Sequence, residues 1–266
     1  MTQKSIWTRD SSTRFREGNK DMVKTQYPEV KTYLDDELLN DPYIASYIKN
    51  GNDLYVAGRR NVMFCQELPF QLQVWIEARD NDARELLRTL PKDNDLSIEF
   101  GNPFSLRLVQ DELKGLNGTV KQNSIFCMVD QRRFRPVSIC PVKKLDRKDR
   151  SALQRYPASN NRDVFFQFFD DGKMSLYGSY KEDEIVGYSA VFYPGNTATW
   201  VHVRPEFRGL GYGCSLLSVC TNDLLSENEI VYYYACMDEM ANLRTCLAVG
   251  FVPLREMFCY QVTRNQ

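Results

Sequence analysis

The stretch Val203-Arg204-Pro205-Glu206-Phe207-Arg208-Gly209-Leu210-Gly211-Tyr212-Gly213 decides the reading of this chain. It lies between a β-forming run, Ala198–Val203, and a run from Tyr212 to Leu225 whose apolar residues recur at helical spacing. Glycines at alternate positions allow backbone angles that other residues avoid and leave no Cβ between chain and ligand. Successive N–H groups can then converge on one point, backed by the partial positive charge of a helix N-terminus. Such a turn binds a phosphate or diphosphate. It has no Gly-Lys-Ser/Thr, which disfavours a nucleoside-triphosphate loop. Its Gly-x-Gly-x-Gly spacing departs from the dinucleotide fingerprint, and the next strand ends in Ala235-Cys236-Met237 with no acidic residue.

Outward from the loop the pattern is regular. Towards the N-terminus, Lys143–Gln154 and Arg162–Phe169 read as helices, and Met174–Tyr180, Ile185–Tyr193 and Ala198–Val203 as a meander of strands. Towards the C-terminus come a strand at Ile230–Cys236, a helix at Ala241–Val249 and a last strand at Phe258–Thr263. A meander followed by strand, helix and strand predicts an α/β fold, a mixed sheet with helices on its faces. Residues 132–150 are rich in Arg and Lys around a possible strand, Val137–Val142, and read as a solvated face, against the alternative of a cationic segment that attracts an anionic cofactor. The N-terminal half is also mixed. It has a helical run at Glu29–Lys49, extended runs at Leu54–Ala57, Val62–Gln66 and Leu72–Glu77, and a helix capped by Asn81 or Asp82. A strand at Ile98–Phe100, a helix at Ser105–Leu113 and a strand at Ser124–Val129 follow. No repeat stands out. The expected division is 1–130 and 131–266.

Composition limits function. The 266 residues are 43% hydrophobic and 26% charged, as in an ordinary globular protein. Lys plus Arg total 34 against 35 Asp plus Glu, so the basic excess of a general nucleic-acid or membrane-surface binder is missing. No apolar run approaches the roughly 18 residues of a membrane helix. The one histidine, His202, rules out histidine-cluster metal sites, and the eight cysteines form no Cys-x-x-Cys pair. The cysteines read as small buried hydrophobes of a reducing compartment, and no metal is expected. The N-terminus has no apolar signal core. Lys4, Arg9, Arg14 and Arg16 against Asp10 give it a trace of mitochondrial-presequence character, so a cytoplasmic location is expected with a mitochondrial one as the alternative.

Arg208-x-x-Gly211-x-Gly213 resembles the cofactor signature of the GNAT superfamily of acyl-CoA N-acyltransferases. Val203-x-Pro205 before the loop, the likeness of Pro205–Gly209 to Pro-Glu-Tyr-Arg-Gly, and Gly250-Phe251 after the last helix extend the match, as does the element order over 137–263. Phe251-Val252-Pro253-Leu254 and Phe258-Cys259-Tyr260 also resemble the glycine N-acyltransferase-like branch. The resemblance implies a GNAT fold in the C-terminal half, preceded by a smaller or degenerate α+β domain, either a second, degenerate acyltransferase-like domain or an acceptor-pocket cap.

It also implies acetyl-CoA or another short acyl-CoA as co-substrate and a small amine or amino acid as acceptor, with direct attack in a ternary complex. Loop amides from Phe207 or Arg208 through Gly209, Leu210, Gly211, Tyr212 and Gly213 would hold the diphosphate. The edge of the strand at Trp200–Val203, with Val201 and Val203, would pair with pantetheine, whose amides can join a strand as a pseudo-strand. Asn242 reads as either a cofactor contact or a helix-start residue. The chain departs from the family in two places. Asn196–Thr199 supply no carboxylate base, and Cys246 stands where many members carry a tyrosine acid. His202 is then the base candidate, against a packing role, with Glu206 behind it; strand alternation sets His202 opposite Val201 and Val203. Cys246 is either the acid or a packed thiol, a nucleophilic Cys246 or Cys236 is the lesser option, and Tyr233 or Tyr234 can line the amine pocket. The competing reading is a CoA-binding module without efficient chemistry.

Overall fold

The computed structural model describes residues 22–25, 34–39, 41, 44, 54–68, 71–91, 95–156, 166, 169–172, 174–192, 197–236 and 240–262. The chain forms two compact units, Met1–Lys121 with Phe258–Gln266, and Gln122–Met257.

In the first unit, β1 (Met22–Thr25), β2 (Leu54–Ala57), β3 (Asn61–Leu68) and β4 (Gln71–Ala78) run antiparallel. The short helix α1 (Asp36–Leu39) falls between β1 and β2. After α2 (Ala83–Arg88), β5 (Leu96–Phe100) pairs parallel to β4 from Leu72↔Leu96 to Trp75↔Glu99. The helix α3 (Pro103–Glu112) follows, started by Asn102, whose side chain accepts from Ser105 N–H. Alternation puts Val74, Ile76, Leu96, Ile98 and Phe100 on one face, where they are buried with Leu86, Leu87, Leu108 and Val109 of the two helices.

The opposite face of the same strands carries Gln73, Trp75 and Glu99. Gln73 Nε2 and Trp75 Nε1 donate to the Glu99 carboxylate at 3.2 and 2.9 Å, yet burial pushes its pKa from 4.5 up to about 7. The folded state therefore holds this proton more tightly than the unfolded chain does. Its contribution to stability is complete below about pH 4.5 and is lost as pH rises through 7. Glu99→Gln is expected to remove on the order of 2 kcal/mol of the stability difference between pH 5 and pH 8. Urea unfolding at both pH values measures it, and an unchanged difference would refute the assignment.

The second unit repeats the plan. After β6 (Thr119–Asp130) and β7 (Val142–Lys144) comes α4 (Arg150–Arg155), then the antiparallel meander β8 (Met174–Lys181), β9 (Glu184–Phe192) and β10 (Thr197–Val203). The helix α5 (Tyr212–Glu227), the strand β11 (Ile230–Cys236), the helix α6 (Met240–Val249) and the strand β12 (Val252–Val262) complete it. The strand order is β6-β11-β10-β9-β8-β7. The final strand β12 starts in this unit and ends in the first, where residues 258–262 pair with β5. One sheet face packs Val231, Tyr233 and Ala235 against Leu216, Leu217 and Cys220 of α5 and Cys246 and Val249 of α6. The other packs Leu176, Tyr188 and Ala190 against Leu153 and Tyr156.

The mixed α/β class agrees with the sequence reading, and several particulars differ. Both units run as meander, helix, parallel strand, helix and strand, a repeat that the sequence does not advertise. Its one local trace is Trp75-Ile-Glu-Ala-Arg79 and Trp200-Val-His-Val-Arg204, each at the end of the last meander strand. The expected strand at Val137–Val142 is irregular chain until Val142, since its N–H groups go to α5: Val137 to Ser218 Oγ at 2.8 Å, Ile139 and Cys140 to Ser215 Oγ at 3.0 and 3.1 Å. Pro136 and Pro141 also deny it ladder donors. The helix expected from Lys143 begins only after a strand and a 3-10 turn, because Asp146 and Asp149 form a capping box there. Strand β12 starts at Val252, earlier than expected. Most of the expected Arg162–Phe169 helix and most of the Glu29–Lys49 helix lie outside the described residues.

Candidate functional site: a split strand pair and a glycine turn

Strand β10 pairs with β9 from Ala198 to Val203, with an irregularity between Ala198 and Trp200. On its other side, among the described residues, it pairs parallel with β11 at Thr197↔Tyr232 and Ala198↔Tyr233 and no further. In the first unit the corresponding pair β4 and β5 stays joined as far as Trp75. From Trp200 to Val203 the β11 side of β10 is therefore open, a backbone edge that an extended amide-bearing ligand can join.

The turn that follows leads into α5. Arg204 N–H returns to Val186 O at 2.9 Å, and Pro205–Phe207 form a 3-10 turn. The amides of Phe207 and Arg208 are used inside this turn, on Arg204 O and Pro205 O, and Arg208 Nε donates to Val203 O at 3.1 Å. Gly209 and Gly211 then take φ of +78° and +90°, the left-handed region that glycine enters without strain. Ser215 N–H closes the first helical bond on Gly211 O at 3.0 Å. The consecutive amides from Gly209 to Cys214 have no protein acceptor among the described residues. Together with the helix dipole they form a built anion cradle.

Other elements reach the same place. A methyl group on Gly213 would lie 3.6 Å from Thr245 Oγ1 of α6 and 3.8 Å from Val201 Cγ1 of β10, so turn, open strand and α6 converge. Asn242, the third residue of α6, is not its cap, and its Oδ1 is buried without a hydrogen-bond partner. A buried acceptor left unmet costs about 1–3 kcal/mol, which a ligand N–H would recover. The free amides and the open strand edge fit the diphosphate and the amide-bearing arm of CoA.

His202 lies on the face of β10 opposite Val201 and Val203, which pack towards α5 and α6. It is half-buried. The hydroxyl of Tyr156 is 2.6 Å from its Nδ1, and Tyr188 stacks on its ring at 5.9 Å. Arg204, on the same face, holds its guanidinium 5.3 Å above the Tyr156 ring and pairs with Glu184 at 2.9 Å. Cys246 is fully buried beside Cys127 and Tyr233, and burial pushes its thiol well up. Cys236, half-buried, ends β11, and Glu206 is exposed in the 3-10 turn. Tyr233 is packed towards α6, whereas Tyr234 is half-buried on the other face beside Phe126 at 5.2 Å. Of the expected cofactor residues, Gly209, Leu210, Gly211, Tyr212 and Gly213 form the turn and Val201 lies close to Gly213, as does Thr245 of α6, while His202 stands across the sheet from Cys246. Sequence reading missed Tyr156, Tyr188 and the amide of Cys214. Only the last carries a local signal, as a residue in the first turn of a helix.

No family model and no curated protein matches this chain. Solved structures do. A Drosophila protein superposes with a TM-score of 0.67 at 9% identity, covering 93% of this chain and all (100%) of the other. A GCN5-related N-acetyltransferase from Kribbella flavida gives 0.58 at 10% identity over 83% of this chain and 94% of its own. A tandem GNAT protein from the clavulanic acid biosynthesis pathway gives 0.52 at 14% identity over 80% and 84%.

The fold is the GNAT fold. In it the Arg208-x-x-Gly211-x-Gly213 signature occupies the turn between the split strand and the helix after it, and Gly250-Phe251 closes α6. Among the described residues, no helix of this GNAT-fold chain is long and apolar enough to cross a membrane, and no group of three or more His, Cys, Asp or Glu is placed to hold a metal ion.

Proposed function

We propose that the protein is an acyl-CoA-dependent N-acyltransferase that acylates the amine of a small molecule or amino acid. The observation that carries this reading is the run of unsatisfied amides from Gly209 to Cys214 at the mouth of the β10–β11 split. These amides receive the diphosphate, the edge of β10 at Val201–Val203 pairs with the pantetheine arm, and Asn242 Oδ1 accepts one of its N–H groups. Arg208 steadies the turn through Val203 O and adds positive charge beside the diphosphate. His202 is the base. The amine nitrogen bonds to the thioester carbon, the C–S bond breaks, and the amine proton passes through the imidazole while the thiolate leaves as CoA thiol. Cys246, sealed in the core, is a packing residue in this scheme. The acyl group is acetyl or another short chain, the nearer likeness is to glycine N-acyltransferase-like proteins, and the location is cytoplasmic, with the mitochondrion as the alternative.

Calorimetric titration with CoA, followed by thiol release from acetyl-CoA over a panel of amines and amino acids, tests the proposal. CoA binding with turnover supports it, and binding without thiol release across the panel favours a non-catalytic CoA-binding module. Gly211→Val sharpens the first step. Residue 211 has φ +90°, and a Cβ there meets Ile139 at 2.8 Å, so the cradle must open to admit valine. CoA affinity is expected to fall about thirtyfold. Unchanged affinity would remove the cradle from the proposal.

A further inference from the structure

The first unit has counterparts of both halves of the candidate CoA site, and its own side chains fill them. Strand β4 corresponds to β10, with Trp75-Ile-Glu77-Ala-Arg79 matching Trp200-Val-His202-Val-Arg204. In β10 the pairing with β11 ends at Ala198, whereas β4 keeps β5 as far as Trp75↔Glu99. Further along β4, Ala78 N–H donates to the buried Ser105 Oγ of α3 at 3.0 Å. The backbone edge that an amide-bearing ligand would join is therefore taken.

The turn into α2 is filled in the same way. Asn61 is fully buried, and its Oδ1 accepts from the amides of Arg79 at 2.9 Å and Asp80 at 3.2 Å. Its Nδ2 donates to Asp80 Oδ1 at 2.6 Å, and the same carboxylate oxygen accepts from Asp82 N–H at 3.0 Å. The amides of Ala83, Arg84 and Glu85 return to the carbonyls of Asp80, Asn81 and Asp82. In this turn only Asn81 N–H has no protein acceptor among the described residues. A carboxylate thus stands where the second unit offers free amides, with Asp82 beside it at the start of α2. The amides are already met, and two negative side chains repel a diphosphate. Glu77 keeps a carboxylate at the strand position of His202, yet it is 0% exposed, held by Asn102 Nδ2 at 2.8 Å and Arg79 Nε at 3.0 Å.

We propose that the first unit is an internally plugged copy of the acyl-CoA site, so that the chain takes one CoA, at Gly209–Cys214. The place of that molecule rests on the acyltransferase reading; the plug rests on Asn61, Asp80 and Ser105.

Equilibrium dialysis of the full chain against CoA, carried to millimolar concentration, counts the sites, and one CoA per chain is expected. Gly211→Val is expected to weaken that single isotherm about thirtyfold and to leave no second component. Asp80→Ala deprives the Asp82 amide and Asn61 Nδ2 of their acceptor. Its urea midpoint is expected to fall by about 0.5 M, while CoA stoichiometry, CoA affinity and kcat stay as in the parent. Two CoA molecules per chain, or a site of parental affinity surviving in Gly211→Val, overturn the proposal, as does an Asp80→Ala protein as stable as the parent. An unaltered chain that binds no CoA overturns the acyltransferase reading and the one-site count with it, while the urea midpoint of Asp80→Ala still decides the plug.

Discussion

His202→Gln is expected to lower kcat for amine acylation by about 10²–10⁴-fold while leaving the dissociation constant for CoA where it was. The two effects separate because the side chain and the cradle lie apart. Val201 and Val203 face the helices beside the glycine turn, and His202 faces Tyr156 and Tyr188 on the opposite side of β10. Glutamine keeps hydrogen-bonding capacity next to Tyr156 and loses the ability to take a proton near neutral pH. Rates measured from pH 6 to 9, with calorimetry on the same samples, make the comparison. A variant as fast as the parent across that range would exclude His202 as the base. A variant that lost CoA affinity in proportion would reveal a structural role instead.

Gly250→Ala carries the largest expected loss of stability, about 4 kcal/mol. Gly250 closes α6 with φ +101°, its N–H on Leu247 O and that of Phe251 on Cys246 O, both at 3.1 Å, the paired bonds of a Schellman ending. The chain beyond β6 passes so close that a methyl group there would lie 2.1 Å from Arg133 O, and this approach is held by Arg135 N–H donating to Val249 O at 2.9 Å. Alanine therefore meets an unfavourable φ and a backbone overlap that no rotamer relieves. The urea midpoint is expected to fall by about 1 M or more. A shift within experimental error would mean that the 133–135 segment does not lie against α6.

Much of the second unit was legible because its signals are local. The β-forming runs at 174–181, 184–192 and 230–236, the helical spacing after Tyr212, and the glycines at 209, 211 and 250 each reflect a backbone requirement within a few residues of themselves. The strand expected at 137–142 failed for the complementary reason. Its composition suits a strand, but Ser215 and Ser218, more than seventy residues away, took its N–H groups. The duplicated plan leaves almost no residue-level repeat, although a degenerate acyltransferase-like N-terminal half is among the expectations, because a sheet position asks only for a polarity and volume that suit its surroundings. Glu77 and His202 end equivalent strands and share neither.

From the chain alone came the α/β class, the order of elements and the glycine turn, since helix period, strand alternation and positive φ are properties of consecutive residues. Tertiary structure decided the parting of β10 from β11, the buried and unmet oxygen of Asn242, the sealing of Cys246 in the core, and the meeting of Tyr156 with His202 across 46 positions of chain. Each of these depends on which distant groups compete for the same hydrogen bonds and the same space, and that competition exists only once the sheet has formed.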